Sequence, residues 1–141
     1  MNYDYHEKKI VAVVNSKLEP GVALNVVGHL AVSIGCYASD HMGRPVLVDA
    51  SGVKHMGISR YPFIITKANP SKIRAAIVAA RENPNVTFAD YPQQMLDTGH
   101  DDELAESILN AKEEDLSYLG AVFYGKAEDV SAITRKFSLY K

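Results

Sequence analysis

An unbroken run of five apolar residues, Ile10-Val11-Ala12-Val13-Val14, leads through one polar turn into a long segment of helical periodicity. A strand with one solvated face alternates apolar and polar residues. A continuous valine-rich run is instead buried on both faces, as strands of a largely parallel sheet are. The turn, Asn15 to Gly21, carries Pro20, whose missing N–H has no intrahelical partner to lose in the first turn of a helix. At about 100° per residue the segment from Val22 to Cys36 separates into two faces. Leu24, Val26, Val27, Leu30, Ala31 and Ile34 share the apolar one; Asn25, His29, Ser33 and Cys36 share the other, with Asn25 and His29 one turn apart. Such a polar strip either lines a cleft or faces water.

The rest of the chain repeats this strand-then-helix rhythm. Pro45 to Asp49 and Val53 to Met56, joined through Ala50-Ser51-Gly52, read as a small hairpin inserted before the next main strand, Tyr61 to Ala68. Asn69-Pro70-Ser71 starts a helix buried through Ile73, Ala76, Ile77 and Ala80, and Asn83-Pro84-Asn85 ends it. Val86 to Tyr91 is a third strand, Pro92 to Gly99 a connection, and Asp101 to Lys112 a helix buried through Leu104, Ile108 and Leu109. Leu119 to Gly125 is the last core strand and Glu128 to Phe137 the last helix. The pattern predicts one α/β domain over residues 1–141: a three-layer α/β/α sandwich with a four-stranded mixed sheet plus the hairpin.

Bulk properties weigh against several functions. A formal charge of −2 and a pI near 6.2 argue against a general nucleic-acid binder, which carries a basic stripe. Cys36 is the lone cysteine, so no intrachain disulfide forms. With a polar N-terminus unlike a signal peptide, the expected setting is cytoplasmic. No stretch approaches the roughly 18 uninterrupted apolar residues of a membrane span, so no membrane partner is expected. His41, His55 and His100 match no zinc spacing, so no metal is expected, and no glycine-rich phosphate loop points to a cofactor. Gly21, Gly28 and Gly35 recur every seven residues inside the first helix, a spacing that reads as close packing.

Thr98-Gly99-His100-Asp101 is the sharpest local signal, a turn between the third strand and a helix. Ligands of layered α/β folds sit beyond the carboxyl ends of the strands, where helix N-termini offer free N–H groups. On that logic Asn25 and the Thr98–Asp101 turn face one cleft holding a small polar molecule. His100 is then an acid or base oriented by Asp101 or Asp90, and Asn25 or the turn's N–H groups hold a substrate oxygen. The plainer alternative makes Thr98 or Asp101 the helix cap, with His100 solvated. Cys36 is expected to be a half-buried, inert thiol.

Taken together, Lys9 to Val14, the turn into Leu24-Asn25-Val26, and Thr98 to Asp101 resemble an uncharacterised bacterial domain-of-unknown-function family over nearly the whole chain, including Gly120 to Gly125 and a helix through Lys136 to Leu139. That family's fold is similar to peptidyl-tRNA hydrolase II, itself a more distant likeness. The hydrolase's first helix carries a glycine-lysine pair, a glutamine and a histidine; this chain has Gly21, Val22, Val26 and His29 there, and Asp90 stands where the hydrolase keeps an aspartate. The resemblance implies the fold; a homodimer is expected, and a non-catalytic module whose dimer surface is its function is a further alternative to a ligand site. The resemblance leaves tRNA disfavoured as a partner, because the lysine that would meet a phosphate is Val22, unless Lys17 or Lys67 replaces it.

Overall fold

The computed structural model describes residues 2–141. At its centre lies strand β1 (Lys8–Asn15), whose residues Ile10 to Val14 are each at most 3% exposed. The expected burial on both faces is realised by alternation. Ile10, Ala12 and Val14 face one helical layer, and Val11 and Val13 face the other.

The first layer is α1 (Pro20–Tyr37), which starts on Pro20 and buries Ala23, Val26, Leu30 and Ile34. After a 3-10 turn at Ser39–His41, strands β2 (Val46–Val48) and β3 (Lys54–Met56) form the expected hairpin, an arm paired only with itself. Strand β4 (Phe63–Ala68) lies parallel to β1. Helix α2 (Pro70–Arg81) follows, capped by Asn69, whose side chain accepts the Lys72 N–H at 2.9 Å. Strand β5 (Thr87–Pro92), the single helical turn α3 (Gln94–Asp97) and α4 (Asp101–Leu109) come next. Strand β6 (Tyr118–Lys126), α5 (Ala127–Thr134) and β7 (Ser138–Leu139) close the chain. Helices α2 and α5 supply the second layer through Ile73, Ala76, Ile77, Ala80 and Val130.

The main sheet runs β5-β6-β1-β4-β7 and is mixed. Strand β6 is antiparallel to both β1 and β5, so β1, β4 and β5 all point the same way. Two ends of the sheet follow: a carboxyl end, where α1 and α3 begin, and an amino end, where α1 finishes. Gly120 lets α1 approach β6, because a Cβ there would stand 2.7 Å from the Val13 carbonyl oxygen and 2.8 Å from Val26 Cγ1.

Several expectations are corrected. The main sheet has five strands rather than four, since residues expected to continue the last helix form β7 against β4. Helix α5 stops at Thr134; Phe137 turns back onto the second core layer, and two paired residues are too few to show a period. The Pro92–Gly99 connection contains α3. Helix α4 buries nothing, and Leu109 is 82% exposed, because α4 packs chiefly on the one-turn α3 and not on the sheet. Leu24 is 67% exposed although it sits at the margin of the apolar face, and Cys36 is exposed. The glycine spacing in α1 is not close packing: a Cβ on Gly21 or Gly28 would meet nothing within 4 Å. By length and composition α1 could cross a membrane, with 18 residues at a mean hydropathy of 1.3. Its average passes that test, where uninterrupted runs do not, because it holds no charged residue. Here its inner stripe packs on the sheet.

Candidate functional site

At the carboxyl end the structure gives each residue of the Thr98–Asp101 turn a local task. The Thr98 hydroxyl donates to the Gln94 carbonyl at 2.8 Å and closes α3. Gly99 makes the bend with open space around it. His100 is the N-cap of α4: its Nδ1 accepts the Asp102 N–H at 3.1 Å. A neutral imidazole using Nδ1 as acceptor carries its proton on Nε2, so the cap occupies the lone pair a base would need. Asp101 is exposed in the first turn, and the carboxylate nearest the ring is that of Asp102, at 3.8 Å. Asn25 is exposed, and its carbonyl accepts from His29 Nδ1 at 3.0 Å. The His29 ring stands edge-on to Tyr91, centroids 5.9 Å apart. Among the described residues no hydrogen bond or ion pair joins Asn25 to the turn. The hollow at this end, about 120 Å³, is lined by Val14, Ala23, Leu24, Val27, Ile65 and Tyr140, an almost wholly apolar set.

Asp90 lies on the opposite face of the sheet from Asn25. Alternation along β5 turns Tyr91 toward α1, and turns Phe88 and Asp90 toward α2. There burial pushes the Asp90 carboxyl above its ordinary value, partly offset by Arg81. Beside it Glu113 gathers three donors on Oε1: Arg74 at 2.7 Å, Arg81 at 3.1 Å and the Tyr118 hydroxyl at 3.0 Å. Arg74 also donates to the Leu116 carbonyl and covers the Tyr118 ring. These bonds pin the 3-10 turn Glu113–Asp115 to α2, a structural use that leaves the donors occupied.

At the amino end the groups are less fully partnered. Because β6 runs antiparallel to β1, its last residues meet the first of β1, with Lys8 opposite Lys126 and Ile10 opposite Tyr124. The chain leaving α1 passes over them. Together they surround a cavity of about 290 Å³, lined by Lys8, Asp40, Asn85, Thr87, Tyr124 and Lys126 among others. Lys8 Nζ lies 2.9 Å from Asp40 Oδ2 and 5.6 Å from the centre of the Tyr124 ring. Burial pushes the Asp40 carboxyl up, but the hydrogen bond and charge of Lys8 outweigh it and hold the group below its ordinary value. The same hydrogen bond raises Lys8.

Tyr124 is 3% exposed, and its buried hydroxyl faces Asp40 closely enough for a weak hydrogen bond to that carboxylate but meets no partner at full hydrogen-bond geometry. Burial first, then the Asp40 charge, pushes its pKa far above that of an ordinary phenol, so the group is a fixed proton donor. The His41 ring, 5% exposed, stands edge-on to Tyr124 at 5.9 Å, with neither nitrogen hydrogen-bonded. A buried donor left unmade costs ~1–3 kcal/mol, so groups of this kind call for a partner, an ordered water or a bound ligand among them. Lys126 and the Tyr124 phenol can hold the oxygens of a small anion, with Lys8 offsetting the charge of the Asp40 carboxylate beside them.

Sequence reasoning missed this group. Asp40-His41 read as a turn, and Lys8 as part of a lead-in. The available signal was a tyrosine inside a buried strand, but only the antiparallel register of β6 on β1 carries it to Lys8.

The solved structure of a protein of unknown function, Atu0240, from Agrobacterium tumefaciens strain C58 matches with a TM-score of 0.85 at 20% identity, covering 96% of this chain and 98% of that one. Identity at that level speaks for the fold alone. A search of curated proteins found no significant match. The model of one family, described as protein of unknown function (DUF2000), matches residues 8–141. With nearly its whole length matched, the chain belongs to the DUF2000 family.

Proposed function

We propose that this protein binds a small carboxylate-bearing metabolite in the amino-end cavity, beside Lys8, Asp40, Tyr124 and Lys126. The observation that carries this reading is the buried Tyr124 hydroxyl, at best weakly bonded to Asp40, beside the Lys8–Asp40 pair at the cavity wall. A cavity of about 290 Å³ sits at the lower end of the range for small-molecule sites and suits a compact ligand. The reading keeps the expected small polar molecule and moves its site from the Asn25–Thr98–Asp101 end to the opposite end of the sheet. Binding is favoured over hydrolysis because Asp40, held ionised by Lys8, is a weak base.

Kinship with the peptidyl-tRNA hydrolase II fold remains part of this proposal, and peptidyl-tRNA hydrolysis is its disfavoured alternative. Val22 at the lysine position and the net negative charge both count against it. A homodimer is supported by the exposed apolar residues of the arm, among them Val48, 61% exposed, and Met56, 88% exposed. Sedimentation at micromolar concentration tests that.

The site is tested by titrating a panel of mono- and dicarboxylates into the full chain while following backbone amide shifts. Saturable shifts are expected at residues 8, 40, 87 and 124–126, with affinity lost in Tyr124→Phe and Lys126→Gln. Saturable binding that both variants retain, or none with any panel member, overturns the reading. A tRNA enzyme would instead bind tRNA with a steep salt dependence.

A further inference from the structure

A second hollow, about 320 Å³, lies where the β2–β3 arm leaves the body, lined by Tyr3, Arg44, Leu47, Ile58, Ser59 and Arg60 among others. It carries two guanidinium groups and no carboxylate. Among the described residues neither Arg44 nor Arg60 forms an ion pair, and Arg60 Nε is buried without a partner. The contrast lies within the molecule itself: Arg74 and Arg81 share Glu113, and Lys8 takes Asp40. A partly buried cation left unpaired is unfavourable unless something else supplies the counter-charge.

The Arg60 side chain is held in place, and the backbone of Arg44 is fixed beside it. The Arg60 guanidinium carbon stands 5.1 Å from the Tyr3 ring centre and 5.0 Å from that of Tyr61. The two rings, themselves edge-to-face at 5.9 Å, hold the guanidinium beside them, and a guanidinium edge left free is the geometry that reads an oxyanion. The Arg60 N–H donates to the His41 carbonyl at 2.8 Å, and the Gly43 N–H to that of Ile58 at 3.0 Å, so the two strands of the arm's base are tied across the hollow. A Cβ on Gly57 would collide with the Arg44 carbonyl, so that crossing admits only glycine. The Ser59 hydroxyl already donates to the Tyr61 carbonyl, which leaves the arginines as the groups for an anion. Leu47 and Ile58 add an apolar wall.

We infer that this hollow binds a phosphate monoester, its dianion bridging Arg44 and Arg60 and its organic part lying on Leu47, Ile58 and Tyr3. Two unpaired cations match a group that carries about −1.5 to −2 at neutral pH better than they match one carboxylate. None of the residues invoked belongs to the carboxylate cavity, so either proposal stands or falls without the other.

Calorimetric titration of inorganic phosphate into the full chain at low ionic strength tests it, with acetate as the competing anion. Saturable one-site phosphate binding is expected, tighter than acetate. Arg44→Gln alters an exposed side chain, and Arg60→Lys keeps the charge and stem but loses the planar fork; circular dichroism checks that both fold. Each should weaken phosphate by about fivefold or more, whereas Lys126→Gln, in the other cavity, should leave it within about twofold. No saturation in the parent chain, acetate binding as tightly as phosphate, a smaller loss in either arginine variant, or an equal loss in Lys126→Gln overturns the inference.

Discussion

Tyr124 combines a cost to the free protein with a use for it. Its ring packs in the α1 layer against His41 and Tyr61, while its hydroxyl sits near Asp40 without reaching full hydrogen-bond geometry. Replacing the hydroxyl with hydrogen keeps the ring and removes the unmade donor. Tyr124→Phe should therefore stabilise the ligand-free protein by about 1 kcal/mol, a rise of about 2–4 °C in the melting midpoint for a chain of this size. Differential scanning calorimetry without ligand reads it directly. A lower midpoint would mean that the hydroxyl is already satisfied, and the argument for a ligand there would lose its footing. Stability and binding should move in opposite directions at this residue, as they do where strain is kept for function.

At the scale of elements, α4 is the weak point. It buries no side chain, and its main neighbour is the one-turn α3, so it opens without exposing core. Amide exchange should be fast along Asp101–Leu109 and slowest at Ile10–Val14 of β1 and in β6, where every residue but Lys126 is buried. Leu109→Ala should change stability by less than about 0.5 kcal/mol, whereas Phe123→Ala, at a fully buried position, should cost ~3–5 kcal/mol. Protection of α4 equal to that of β1 would show that something covers it. The same helix marks where sequence reasoning stops. Leu104, Ile108 and Leu109 have helical spacing, but spacing says only that a face exists and not that anything packs on it. The valine run of β1 carried more information, because a strand without polar residues has no face to give to water. The inner stripe of α1 through Val26, Leu30 and Ile34 was legible for a related reason, whereas β7 is too short to leave a pattern. The amino-end site joins Lys8, Asp40 and Tyr124, distant in sequence and brought together by the β1–β6 register. No local motif encodes that meeting.

Over the whole molecule the charge pattern sets how stability responds to pH. Three carboxyls titrate below their ordinary values. A His55 hydrogen bond lowers Asp49, donors from Arg81 and Tyr118 lower Glu113, and Lys8 overcomes the burial that would raise Asp40. A depressed carboxyl contributes stability that is present above its unfolded value, 3.8 for aspartate and 4.5 for glutamate, and lost as pH falls through the folded value. Asp90 has the opposite sign: burial raises it, so its charge opposes folding at neutral pH and the opposition fades on acidification. Lys8, raised by Asp40, contributes fully below 10.5 and loses that contribution as pH climbs through its folded value. The melting midpoint should therefore be flat through neutrality, fall as pH drops below about 4, and fall again in strong alkali. Two variants separate the contributions. Glu113→Gln removes the carboxylate that ties the 3-10 turn to α2, so it should lower the neutral midpoint and flatten the acid fall. Asp90→Asn should raise the neutral midpoint, and its advantage should vanish once pH is below the unfolded aspartate value. Calorimetric midpoints from pH 2 to 11 test both signs together. An acid fall as steep in Glu113→Gln as in the parent would place the acid-sensitive contacts elsewhere. A drop in Asp90→Asn at pH 7 would mean that attraction to Arg81, and not burial, governs that carboxylate.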